Sequence, residues 1–186
     1  PDDTPAGDAF ERRLYVCRRT IEKKADAEFA LRDKIFYVCS MSSRTIVYKG
    51  MLVATQMRRF FIDLNDAAVK TAVALVHSRY STNTTPSWER AHPNRFIIPN
   101  GEIYTLKGNV NWIRAREPNL YSPVLQHDLE RVMPIINREG SDSAILDNVL
   151  EFLVMNGRPL TRAASMLLPE PWDHNDNLSE ERRAYD

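Results

Sequence analysis

Three pairings of residue type and position stand out for the chemistry they share. Asn100-Gly101 ends the short apolar run Arg95-Phe96-Ile97-Ile98. An Asn-Gly pair after such a run marks a tight turn, because Gly accepts positive φ and Asn tolerates it. In that turn the Asn side-chain amide and the Gly backbone N–H can face one spot, as holding a developing oxyanion requires. The same pair also serves as a plain hairpin connection. Arg79 follows an apolar run in His77-Ser78-Arg79-Tyr80-Ser81-Thr82. Its guanidinium can clamp a carboxylate through two parallel hydrogen bonds, or pair with a surface acid. Asp142 precedes a strongly helical stretch, where a carboxylate caps the helix or grips an ammonium group. An Arg for a carboxylate, an Asp for an ammonium and an Asn-Gly for an oxyanion together describe amide hydrolysis on an α-amino acid. The set lacks a nucleophile.

None of the remaining reactive side chains fills that gap. Cys17 falls on an apolar stripe and Cys39 within a β-type run, which reads as core packing rather than activated thiolates. His77 ends a buried run, no Ser-His-Asp spacing can be read, and no zinc pattern is present. Trp88 and Trp112, interleaved with Arg90, Arg114 and Arg116, offer stacking surfaces for single-stranded nucleic acid, or anchor a loop and a core. With Lys plus Arg and Asp plus Glu both at 25, no net field gathers a polyanion, so the anchoring role and no nucleic-acid partner are expected. A Gly-rich phosphate loop is absent.

The elements that must position these residues follow from periodicity. Phe10, Leu14, Cys17 and Ile21 recur at helical steps and predict an amphipathic helix. Residues 35–40 and 45–50 are β-branched and aromatic, predicting two paired strands around a polar Ser42-Ser43-Arg44 turn. A short helix is expected over 55–60, a buried strand over 71–77, and a long polar loop over 78–94. A short strand leads into the Asn-Gly turn, and a helix over 109–116 opens on an Asn109 cap and stops at Pro118. Ser141 or Asp142 caps a second strong helix that Gly157 closes, and Pro159 starts another through Leu168.

At 186 residues with 43% hydrophobic and 27% charged content, the chain fits one folded unit. Two cysteines make a reducing compartment the expectation. The apolar runs are too short to span a bilayer, and with no basic region and apolar stretch at the start a signal peptide is not expected. The start at Pro1 suggests a trimmed piece.

Several segments match one family in order. Residues 74–84 with Pro86-Ser87-Trp88, then Asn100-Gly101-Glu102-Ile103, Gly108-Asn109-Val110-Asn111-Trp112, Arg114-Ala115-Arg116-Glu117 and Ser141-Asp142-Ser143 closely resemble the glutaminase domain of the glutamate synthase large chain. The stretch 42–52 and Leu146-Asp147-Asn148-Val149-Leu150-Glu151 belong to the same resemblance. It implies an α+β fold, part of a four-layer α/β/β/α N-terminal-nucleophile hydrolase sandwich with antiparallel sheets. The domain would cover residues 1–172, and 173–186 would be a polar tail or linker. It further implies that Arg79 binds the glutamine carboxylate, Asp142 its α-amino group, and Asn100 with the Gly101 amide the oxyanion. The nucleophile would be an N-terminal cysteine upstream of this segment, with neither Cys17 nor Cys39 in that role.

By the same resemblance the segment holds no cofactor, while the full-length parent uses FMN and an iron–sulfur cluster. Its partners would be glutamine, the rest of the synthase chain, and a small electron-transfer subunit or ferredoxin, in the cytoplasm or a plastid. Two positions depart from the family pattern. Pro99 stands where the family has His, and Tyr104 where it has Asn. Proline removes a backbone donor and fixes φ beside the turn. A non-catalytic glutamine-binding or scaffold module is therefore the alternative to a working glutaminase segment.

Overall fold

A computed structural model of the chain describes residues 4–29, 36–78, 85–100, 103, 105–137, 140–168 and 179–183. Seven α-helices occur among them: α1 (Asp8–Phe29), α2 (Met57–Phe60), α3 (Leu106–Arg116), α4 (Leu129–Val132), α5 (Asp142–Met155), α6 (Leu160–Leu167) and α7 (Glu180–Arg183).

The fold is organised around α5. Its ends are written into the sequence. Ser141 is the N-cap, its Oγ accepting the Ala144 N–H at 3.2 Å. At the other end Gly157 takes φ +87. There the Gly157 N–H reaches the Val154 carbonyl and the Arg158 N–H the Leu153 carbonyl, the paired bonds of a Schellman ending. Between those ends Ile145, Leu146, Val149, Leu150, Phe152 and Met155 are buried against Tyr15 and Val16 of α1, Val132 of α4, and Ala163 and Leu167 of α6. The predicted helix over 109–116 begins a turn earlier, at Leu106, so Asn109 lies inside it rather than capping it. With Thr105 it donates instead to the Leu167 carbonyl, at 2.8 and 2.9 Å, which satisfies the end of α6.

Two expectations are corrected. The first helix forms, but its buried face is not the apolar stripe. Glu11, Tyr15, Arg18, Glu22 and Ala25 are buried, while Cys17 is exposed and Ile21 is 43% exposed. This set repeats at helical spacing too. Buried acids and bases with partners on other segments take the inward face, and Phe10 and Leu14 of the apolar stripe are left half-buried.

The second correction concerns the fold class. No strand occurs among the described residues, so the expected α+β sandwich with antiparallel sheets is not what the structure has; it is helical. The β-type sequences at 36–40 and 45–50 carry strand propensity, but a strand exists only where a second backbone lies alongside to complete the ladder. Side chains take some of those backbone groups instead. Ser40 Oγ donates to the Thr45 carbonyl at 3.2 Å, and Arg95 donates to the Val38 carbonyl at 2.5 Å. The run 71–77, expected as a buried strand, is open: Val73, Leu75 and Val76 are among the most exposed apolar residues described. The predicted strand at 96–98 is likewise held by a side chain rather than by a sheet.

Candidate functional site

Asp142 is the first residue of α5 and is half-buried, with Oδ1 accepting the Ser143 N–H at 2.7 Å. The helix start gathers further polar groups. The hydroxyls of Ser141 and Ser143 lie 3.1 Å apart, and Ser143 Oγ lies 3.1 Å from Nε2 of His92. The His92 ring meets the His77 ring with centroids 4.5 Å apart. The run that leads to Arg79 is thus fixed at residue 77 to the N-terminus of α5. Arg79 itself and Gly101 lie outside the described residues. Asn100 is described and exposed.

One turn along α5 stands a residue whose role the sequence did not reveal. The Asp147 carboxylate accepts three successive backbone N–H groups: Arg95 at 3.1 Å on Oδ2, and Phe96 at 2.7 Å and Ile97 at 3.0 Å on Oδ1. The Asn94 N–H donates to the Ile97 carbonyl at 3.1 Å, which closes the curve. Consecutive amides converging in this way form a nest for an anion. Here the anion is the protein's own side chain, 1% exposed. Burial, with Glu151 nearby, pushes the Asp147 carboxyl up to about 6, against the opposing effect of the amides and Arg95.

A buried ionic lattice surrounds the nest. Arg18, 1% exposed, donates to Glu22 at 2.8 Å and to Glu151 at 2.5 Å. Arg95 donates to Glu22 at 2.9 Å and stacks over Tyr37, 4.6 Å from the ring centroid. Lys49 lies 4.4 Å from the same ring centroid and donates to the Glu89 carbonyl at 3.0 Å. Burial lowers the Lys49 ammonium to about 8 and raises the Tyr37 phenol to about 12. Burial opposes the charge on Arg18 as well, but Glu151 and Glu22 more than offset it and hold the guanidinium above its usual range. Charges this deep persist only when paired. The lattice therefore fixes the relative placement of α1, α5, and the stretches around residues 37–49 and 94–97. One signal for it was present in the sequence. Ser143, Asp147 and Glu151 repeat at i, i+4 and i+8 within a largely apolar helix, the spacing of a single face.

The other sequence candidates fall elsewhere. Cys17 is exposed and Cys39 half-buried, so the expected burial of Cys17 is corrected. The exposed Trp112 stacks under Arg116 at 5.0 Å and does not serve the core. The Trp88 ring lies close against Gly50. Among the described residues no group of three His, Cys, Asp or Glu could hold a metal ion, and no helix is long and apolar enough to cross a membrane. A cleft of about 330 Å³ between Arg12, Arg44 and Arg158 opens at the opposite end of α5. Twelve residues of helix separate it from Asp142, roughly 18 Å.

Comparison with known proteins gives a consistent answer. The profile of the class-II glutamine amidotransferases matches residues 2–186. Over 177 residues the chain is 52% identical to the glutamate synthase [NADPH] large chain of Bacillus subtilis, covering 95% of this chain and 11% of that one. It is 46% identical to glutamate synthase [NADH] of Schizosaccharomyces pombe, covering 96% of this chain and 8% of the relative. It is 43% identical to the chloroplastic ferredoxin-dependent glutamate synthase of Oryza sativa, covering 92% and 10%. The chain spans about a tenth of the length of these relatives.

Proposed function

The chain belongs to the class-II glutamine amidotransferases, and on that premise we propose that it is the glutamine-holding segment of a glutamate synthase glutaminase domain. Arg79 clamps the α-carboxylate of glutamine and Asp142 its α-ammonium group, which leaves the side-chain amide pointing at the Asn100-Gly101 turn. A cysteine thiolate from elsewhere in the longer polypeptide attacks the amide carbon. As the tetrahedral centre forms, its oxygen takes negative charge, and the Asn100 amide and the Gly101 N–H stabilise it. The C–N bond then breaks, ammonia departs carrying the proton from the thiol, and water releases glutamate from the thioester. The parent passes that ammonia to reductive amination of 2-oxoglutarate, with FMN and an iron–sulfur cluster outside this segment. Its electron donor is ferredoxin or a nicotinamide.

The observation that supports this reading is the role of α5 as a common anchor. Its first residue is Asp142. Its next turns hold His92, and through it His77 two residues before Arg79, and the backbone three residues before Asn100. Asp142 and the described backbone leading toward Arg79 and Asn100 thus meet at one rigid element, which supports a grip on a small amino acid at several points.

Ammonia release decides the matter. The 186 residues alone are expected to hydrolyse no glutamine, and the intact synthase to hydrolyse it with a KM that rises in the Asp142→Ala variant. Turnover by the isolated chain above a heat-killed control would defeat the reading, because it would require a nucleophile within this segment. Binding without hydrolysis in the intact protein would favour the scaffold alternative, in which Pro99 has re-aimed the turn.

A further inference from the structure

We propose that Asp147 is a positioning residue for the oxyanion-binding turn, its carboxylate setting the path of the backbone that delivers Asn100. The inference rests on the reading that Asn100 holds the oxyanion. Three observations carry it. The carboxylate takes the N–H groups of residues 95, 96 and 97 at 2.7 to 3.1 Å, so each peptide plane in that stretch has a fixed orientation. The next two residues are Ile98 and Pro99, and proline fixes its own φ. Little rotational freedom is left between the clamp and Asn100. Finally, Asp147 is five residues beyond Asp142 on the same helix. The group that grips the ammonium and the group that orients the oxyanion donor are therefore parts of one rigid body. Displacement of a donor by about 1 Å costs about a hundredfold in rate, so a clamp of this kind acts on turnover rather than on affinity.

The clamp is held from its other side as well. Arg95 is bound by Glu22 of α1 and by the Val38 carbonyl, so the peptide cannot follow the carboxylate if α5 shifts. An apolar replacement at 147 would leave three buried N–H groups without an acceptor. Asparagine is the informative change. Its one oxygen can still serve Phe96 and Ile97, while its amide nitrogen would face the Arg95 N–H, donor against donor.

The test uses the intact synthase that carries this segment, assayed for glutamine hydrolysis. Rates are expressed per mole of folded enzyme, with the folded fraction taken from the thermal unfolding amplitude. Asp147→Asn is expected to lower kcat about 10- to 100-fold while the KM for glutamine stays within about threefold, because Arg79 and Asp142 make the ground-state contacts. In the Asn100→Ala background the same change is expected to cost less than about twofold, since a residue acting through Asn100 has nothing left to position. Three results would overturn the inference. They are an unchanged kcat with only a lowered melting temperature, a KM that rises in step with the fall in kcat, or losses that multiply in the double variant. If Asn100→Ala alone leaves kcat intact, the site assignment beneath the inference fails with it. If Asn100→Ala is impaired and Asp147→Asn is not, only the inference fails.

Discussion

At the scale of single residues, two carboxylates on one helix do different work because their surroundings differ. Asp142 is half-buried at the helix start, where it can meet a ligand; Asp147 is sealed and meets only backbone. Asp142→Ala in the intact enzyme is expected to raise the KM for glutamine about 10- to 100-fold, the loss of one charge-assisted hydrogen bond. Steady-state ammonia release measures it. Asp147 has a signature in stability. Its carboxyl titrates near 3.8 when unfolded and is pushed up to about 6 when folded. Between those values the folded form holds the extra proton, so stability falls as pH rises through the window and levels off above it. Denaturant midpoints for wild type and Asp147→Asn from pH 4 to 6.5 should show that fall in the wild type and its loss in the variant. Asp147 was not legible as a clamp, because nothing in the sequence says that the amides of 95 to 97 lie beside it.

At the scale of elements, the local signals that held are those a few neighbouring residues can satisfy. The Ser141 cap and the Gly157 ending of α5 fall where the sequence puts them, since their bonds close within one helical turn. The Asn109 cap did not hold, because Asn109 found a better acceptor on α6. No paired strands occur among the described residues of 36–50, because strand propensity describes a side chain's comfort on a pleated surface and supplies no partner. A close approach organises part of that stretch instead. A Cβ on Gly50 would lie 2.3 Å from the Trp88 ring. Trp88 in turn lies near Phe60, and Phe60 against Phe61. Trp88 is 47% exposed, so its ring can swing outward, and Gly50→Ala is expected to displace the indole at a cost under about 1 kcal/mol. The denaturant midpoint measures the loss, and a red-shifted tryptophan emission would report the displaced ring.

Across the whole molecule, buried ion pairs act beside the apolar core around α5. They tie α1 to α5 through Arg18, Glu22 and Glu151, and α1 to the 94–97 turn through Arg95. Removing Arg18 takes its partner from the buried Glu151, so Arg18→Leu is expected to cost about 3 kcal/mol or more in unfolding free energy. The exposed Arg44 and Asp8 pair at 2.7 Å should cost under about 1 kcal/mol when broken by Arg44→Ala. Comparing the two denaturation curves checks the contrast. By itself the sequence determined the family, the candidate ligands Arg79, Asn100, Gly101 and Asp142, and the ends of α5, because residue chemistry and short-range capping are local properties. Only the tertiary structure decided that α1 turns its charged face inward, that the β-type segments lie outside any described sheet, and that Asp147 gathers the backbone before Asn100. The physical reason is that a buried charge is tolerable only beside its partner, and the partners that join different elements, Glu151 for Arg18 and Arg95 for Glu22, stand 133 and 73 residues away along the chain.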